Sequence, residues 1–180
     1  MSTRLVPLAA TLLTAALAGC ASTPMFQQAA LPAAVQVPAG QRVAMETVGV
    51  GEITYECRAK AGMADAFEWV FVGPKAALND RGGKVVGSYF GPPATWASLD
   101  GSKLTATQIA MAPGGAGNIA LQLVKANPAT GEGAMSGVSY IQRVDTRGGV
   151  APAAPCAAGN AGTRQIVAYQ ADYIFWKPSM

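Results

Sequence analysis

The chain has 180 residues, of which 51% are hydrophobic and only 13% charged, with a net charge of +3 and no histidine. The missing imidazole removes the Ser-His-Asp triad, the Cys-His dyad, histidine-ligated zinc and histidine acid–base chemistry together. The few charges are scattered without a basic stripe, so the electrostatic footprint of a nucleic-acid binder is absent.

At the amino end, Arg4 precedes an apolar stretch over residues 5–18, followed by Gly19 and Cys20. A positive start, an apolar middle and small residues before a cut are the parts of a secretory signal. Leu17, Ala18, Gly19 and Cys20 resemble the lipobox of bacterial lipoproteins, in which the cysteine after the cut takes a diacylglycerol group. The stretch holds 14 residues and is broken by Pro7, Thr11 and Thr14, short of the roughly 20 needed to span a bilayer. An ordinary cleaved signal fits the same length. The expectation is a signal over residues 1–19 and lipidation at Cys20, which would hold the protein to a membrane of the cell envelope. Ala21, where an aspartate would favour the inner membrane, points to outer-membrane sorting. Residues 21–40 carry no charge and are spaced with alanine and proline, so 20–40 is expected to be lipidated cysteine plus flexible tether.

From Arg42 the pattern turns to β. Glu52, Ile53, Thr54, Tyr55, Glu56 and Cys57 alternate polar and apolar, which places Ile53, Tyr55 and Cys57 on one face. A second strand over residues 68–72 is expected to end at Gly73 and Pro74. A third, over 84–90, is entered through a turn at residues 79–83. Asp100 and Gly101 mark a hairpin between strands at 96–99 and 102–107. Further strands are expected at 119–124, 137–144 and 165–176. In the last, Val167, Tyr169, Ala171, Tyr173 and Phe175 share one face. Glycine (21) and proline (12) punctuate the intervals, and no window outside the signal shows a persuasive helical period. The reading is all-β: a single antiparallel sandwich or partly closed barrel over residues 41–177.

Of three cysteines, a lipidated Cys20 leaves Cys57 and Cys156 for a disulfide in an oxidising compartment. Two separate thiols are the alternative. Without histidine or close ligand spacing, a metal site is the poorest reading.

Three stretches carry residues that suit recognition or chemistry. A two-residue turn at Asp100 and Gly101 would pair Leu99 with Ser102 and Ala97 with Leu104, leaving Trp96 on the polar face. There its ring could stack on a sugar or peptide, although packing is the commoner fate of tryptophan. Around Tyr140, Arg143 and Asp145 are two apart and could form an exposed pair, and Arg147 before two glycines could meet an anion in a backbone nest. Residues 113–118 are glycine-rich, but they precede a strand and lack the lysine of a phosphate loop. A flexible loop is expected there.

Several of these motifs recur together in one family. Residues 53–57, Gly91 and Pro92 with Trp96, residues 100–102, residues 140–143 with Thr146, Gly148 and Gly149, then Cys156 and residues 167–175 are similar to the secreted proteins of domain-of-unknown-function family 3455. The resemblance spans residues 49–176. It implies no activity, since none is established for the family. Members often place a histidine where this chain has Ser88, and a Pro-Trp pair near Asn118 and Ile119, so any role of that histidine is lost here.

The leading expectation is a non-catalytic, outer-membrane-anchored β domain without a cofactor, binding a ligand such as a glycan or an envelope protein. Tyr89, Trp96, Arg143 and Arg147 are its candidate surface. The alternative is a carboxylate-dependent hydrolase of envelope or polysaccharide material, with Asp100 and Asp145 as its acids; a purely structural envelope component is a third option.

Overall fold

A computed structural model describes residues 26–63 and 65–179. The signal over 1–19 and Cys20 lie outside the described residues. Eight strands follow in order: β1 (Gln41–Ala59), β2 (Phe67–Asn79), β3 (Val85–Phe90), β4 (Thr95–Ser98), β5 (Lys103–Ala112), β6 (Leu121–Ala126), β7 (Tyr140–Gly148) and β8 (Arg164–Pro178). Each pairs antiparallel with its sequence neighbour, and β8 returns to pair with β1, closing the sheet into a ring. It is an uneven ring: β1 and β8 run 19 and 15 residues, β4 only 4.

Alternation decides what fills it. Ile53, Tyr55 and Cys57 of β1 point inward with Ala171, Tyr173 and Phe175 of β8, as the period-2 pattern requires. Leu78, Tyr89, Trp96, Leu104, Val124, Ile141 and Tyr169 share this interior. One end is plugged by the β6–β7 connection, which buries Met135 and Val138 in the same core. Asp100 holds this plug by accepting from the Ala134 N–H (2.7 Å) and from the Ser102 hydroxyl (2.6 Å). At the other end the β7–β8 connection is tied to β1 by the Cys57–Cys156 disulfide, with Cα atoms 5.5 Å apart. Tyr55 and Trp69 also donate to its Gly149 and Ala154 carbonyls. By the chain-entropy model a cross-link closing about 100 residues contributes ~4–5 kcal/mol.

The stretch expected as tether behaves otherwise from Phe26 onward. Residues 26–37 cross the outside of the ring, where Val35 and Val37 bury against Leu123, Val144, Ile174 and Trp176. Composition suggested a linker because the segment is uncharged, but an uncharged segment also covers an apolar sheet face at little desolvation cost. Polar staples fix it. The buried Gln142 donates to the Val35 carbonyl (2.6 Å) and accepts from Trp176 Nε1 (2.9 Å), and Gln28 exchanges two bonds with the Val37 backbone.

Two local readings also change. β2 does not stop at Gly73 and Pro74 but continues through them to Asn79. Proline is tolerated because no strand lies on the far side of β2 before Lys75 pairs with Phe90. The β4–β5 hairpin carries one residue more than a two-residue turn: Ser98 N–H bonds to the Ser102 carbonyl, and Gly101 takes a positive φ of 92°. Trp96 therefore faces Leu104 and Ala97 faces Lys103. A one-residue slip exchanges the two faces of a strand, so Trp96 turns inward and Leu99 is left 71% exposed.

Gln142→Leu is expected to lower stability by about 3 kcal/mol, since it orphans a buried indole N–H and a buried carbonyl; urea unfolding measures this. Glu56, hydrogen-bonded by Arg58 and Arg164, has its pKa pulled from 4.5 down to about 2. Its folded-state pKa is depressed, so its contribution is complete above pH 4.5 and fades as pH falls toward 2. The gap in urea midpoint between wild type and Glu56→Gln should close over that interval.

Candidate functional site

The unevenness of the ring creates a side opening. β3 meets β2 only from Lys75 onward, and β4 meets β5 only as far as Thr105. The first residues of β2 and the last of β5 thus extend past the short β3–β4 hairpin with no strand between them among the described residues. The floor of this notch is the connection Gly91, Pro92, Pro93 and Ala94, with cis peptides before both prolines. It lies hard against β2: a Cβ on Gly73 would sit 2.1 Å from the Gly91 carbonyl oxygen. Only glycine permits that approach.

Behind the notch is a cavity of about 200 Å³. Phe71, Pro92, Tyr89, Trp96 and Val124 supply apolar and aromatic walls, and Gln108, Gln122 and Arg143 supply polar groups. Tyr89 stacks on Trp96 with ring centroids 4.7 Å apart, and both contact the Tyr173 ring at 5.0 and 5.9 Å. The indole Nε1–H of Trp96 is buried and has no acceptor among the described residues. Gln122 donates to Gln108 across the β5–β6 rim.

Arg143 comes from β7, opposite Gln122 on β6 and Tyr173 on β8. Its Nε and Nη2 donate to the Ala120 carbonyl at 3.1 and 2.9 Å. Among the described residues no carboxylate lies within salt-bridge distance of it. Burial raises the pKa of Tyr55, Tyr89, Tyr169 and Tyr173, and at each of them the Arg143 guanidinium opposes the shift. The cation thus sits opposite Tyr173 in the sheet and shares the cavity wall with Tyr89 and Trp96. The arrangement can hold an anion beside a flat apolar group, because a guanidinium offers several donors in a fixed plane.

Of the four residues expected on a ligand surface, Tyr89, Trp96 and Arg143 meet in this one cavity, inside the ring rather than on its outside. Arg147 does not join them. It is exposed and pairs with Asp145 at 3.2 Å. The Arg143–Asp145 pair suggested by strand alternation is absent. Asp145 adopts a positive φ of 45° in an irregularity between Val144 and Arg147, which breaks the alternation. Nor do the glycines after Arg147 form an open anion nest, because Gly148 N–H is taken by Asn118 Oδ1 and Gly149 N–H by the Ala168 carbonyl. Asn118 also donates to the Gly114 carbonyl, pinning the glycine-rich loop.

The two candidate acids are not brought together. Asp100 sits in the β4–β5 turn at the plugged end, while Asp145 lies toward the opposite end of β7. The Ser102 hydroxyl, then the Ala134 and Ser102 N–H groups, hold the Asp100 carboxyl well below the usual range. A group so fixed as a carboxylate acceptor serves structure. Among the described residues no cluster of three metal-ligating side chains occurs. Sequence reasoning missed Phe71, Gln108 and Gln122, since their convergence depends on the unequal strand lengths. The Gly91, Pro92, Pro93 run next to Trp96 was the available signal.

The fold and cavity define an all-β, disulfide-bonded domain with a side-opening polar–aromatic pocket. The chain belongs to the family described as Protein of unknown function (DUF3455), which matches residues 38–177. No curated protein and no solved structure matches it.

Gly73→Ala is expected to push the Gly91–Pro92 connection out of the notch and cost ~1–3 kcal/mol, as other overpacking changes do. A lower melting temperature with a red-shifted tryptophan emission would show it; unchanged emission would mean the floor does not depend on this contact.

Proposed function

We propose that this domain is a non-catalytic ligand-binding module of the cell envelope, taking a small organic anion with a flat apolar face into the cavity behind the notch. The carrying observation is Arg143, a cation without a carboxylate partner among the described residues, placed beside Tyr89 and Trp96 at the cavity wall. The anion would pair with the guanidinium, the ring would lie against the aromatic wall, and the unmet Trp96 N–H would gain an acceptor. The envelope location is supported by the signal-like amino end with Cys20, and only weakly by the disulfide.

Benzoate and benzamide separate the charge from the ring. Benzoate is expected to raise the melting temperature and change tryptophan emission, with benzamide at least about tenfold weaker, as the loss of a charge-assisted bond implies. Arg143→Gln should erase the difference between the two, and Trp96→Phe should remove the emission change. If benzoate binds no better than benzamide, or equally well to Arg143→Gln, the assignment of the anion site is wrong.

A further inference from the structure

The outside of the ring has two unlike halves. The half formed by β5 to β8 is covered by residues 26–37. The half formed by β1 to β4 has no such cover among the described residues and carries a groove of about 850 Å³. Its floor is made of small residues, among them Ala77, Ser88 and Ala97, which are direct neighbours across β2, β3 and β4. Val85, Phe90 and Leu99 line it and are 46%, 44% and 71% exposed, and Val50, 47% exposed, is paired with Ala77. Glu52 and Lys75, paired across β1 and β2, also line it; a concavity of this size with so many exposed apolar side chains on an outer sheet face calls for a covering partner.

The position of Phe26 selects the partner. Its backbone N–H donates to Glu46 Oε1 at 2.7 Å, and Arg81 of the β2–β3 connection grips the same carboxylate. Glu46 and Val50 lie on the same outward face of β1, four residues apart, which is about 13–14 Å at strand spacing. The chain thus leaves the covered half at its border with the other. Cys20 is six residues before Phe26, a reach of about 20 Å even when fully extended.

We infer that the β1–β4 groove is the membrane-facing surface of this protein, held against the bilayer by a diacylglycerol on Cys20. This inference rests on the lipoprotein part of the proposed function and is independent of the ligand cavity. A tether of some twenty residues would let the domain drift tens of ångströms from the lipid and turn freely. Packing of residues 26–37 removes most of that freedom. The anchor then holds the domain close, beside the face whose exposed Val50, Val85, Phe90 and Leu99 gain from leaving water. Insertion at headgroup depth needs only such a shallow apolar patch when a lipid supplies the main attachment.

The test uses the purified full-length processed protein in phosphatidylethanolamine–phosphatidylglycerol vesicles containing doxyl lipids. Mass analysis first reads the modification at Cys20. Leu99→Cys, Val85→Cys and Ala34→Cys variants, the last on the covered half, are each labelled with one fluorophore. Labels at positions 99 and 85 should be quenched at least about twofold more than the label at 34, as interfacial burial requires. Val85→Glu should reduce quenching at position 99 while the protein stays on the vesicle. Equal quenching at all three sites, or the deepest at 34, in protein carrying the lipid overturns the orientation alone. An unmodified Cys20 overturns the anchor and the orientation together, so the two failures have separate readouts.

Discussion

Closure of the ring depends on the pairing of β1 with β8. Their register runs from Gln41 with Pro178 to Glu56 with Arg164, so the first and last strands of the domain are zipped along nearly their whole length. This contact has the largest sequence separation available, and its loop-closure entropy must be met before any of its hydrogen bonds form. In return it gives both strands a partner on each side and leaves few sheet edges exposed. Tyr173 and Phe175 become interior residues only because β1 lies beside them, and Gly49 is needed there because its missing Cβ leaves room for the Tyr173 ring. The disulfide reinforces the same neighbourhood, since Cys57 is near the end of β1 and Cys156 lies in the connection leading into β8.

A closed sheet with plugs at both ends would have a sealed interior, and the short β3–β4 hairpin is what prevents it. Ending that hairpin early removes wall from one side while β2 and β5 keep their length. The notch then lets polar groups inhabit an otherwise aromatic interior. An arginine among tyrosines is poorly placed for stability, because among the described residues its partly buried guanidinium is met by the Ala120 carbonyl and by no carboxylate. Such a placement makes sense where an incoming group completes the pairing. Among the described residues Thr47 and Trp96 each carry a buried polar atom without a partner, and Trp96 sits at the cavity wall.

Legibility followed locality. The inward faces of β1 and β8 were readable because alternation is a property of consecutive residues, as at Ile53, Tyr55 and Cys57 or from Tyr169 to Phe175. The β4–β5 hairpin was readable as a hairpin, but its faces were not. Whether Asp100 and Gly101 make a two-residue turn or part of a longer one shifts the register by one, and that single residue sends Trp96 inside or outside. Arg143 and Asp145 show the same sensitivity: regular alternation joins them, and the irregularity at Asp145 separates them. The cavity was legible in pieces only. Tyr89, Trp96 and Arg143 stood out as residue types suited to recognition, yet their meeting depends on closure and unequal strand lengths, neither of which has a local signature.

The covering segment raises the same issue from the opposite side. Residues 26–37 have the composition of a linker, and composition cannot tell a solvated linker from a strip that lies on an apolar sheet. The difference is in the sheet. The outward positions of β6 to β8 include Leu123, Val144, Ile174 and Trp176, too much apolar surface for a face left in water. Outward positions of β1 to β4 are smaller and mixed, with Glu52 and Lys75 among them. The first half of the ring therefore requires the cover that residues 26–37 give it. Gln142, buried on the first half, ties the strip to the sheet by donating to the Val35 carbonyl and to Gln28 Oε1, while Gln28 bonds the Val37 backbone and holds the strip's own shape.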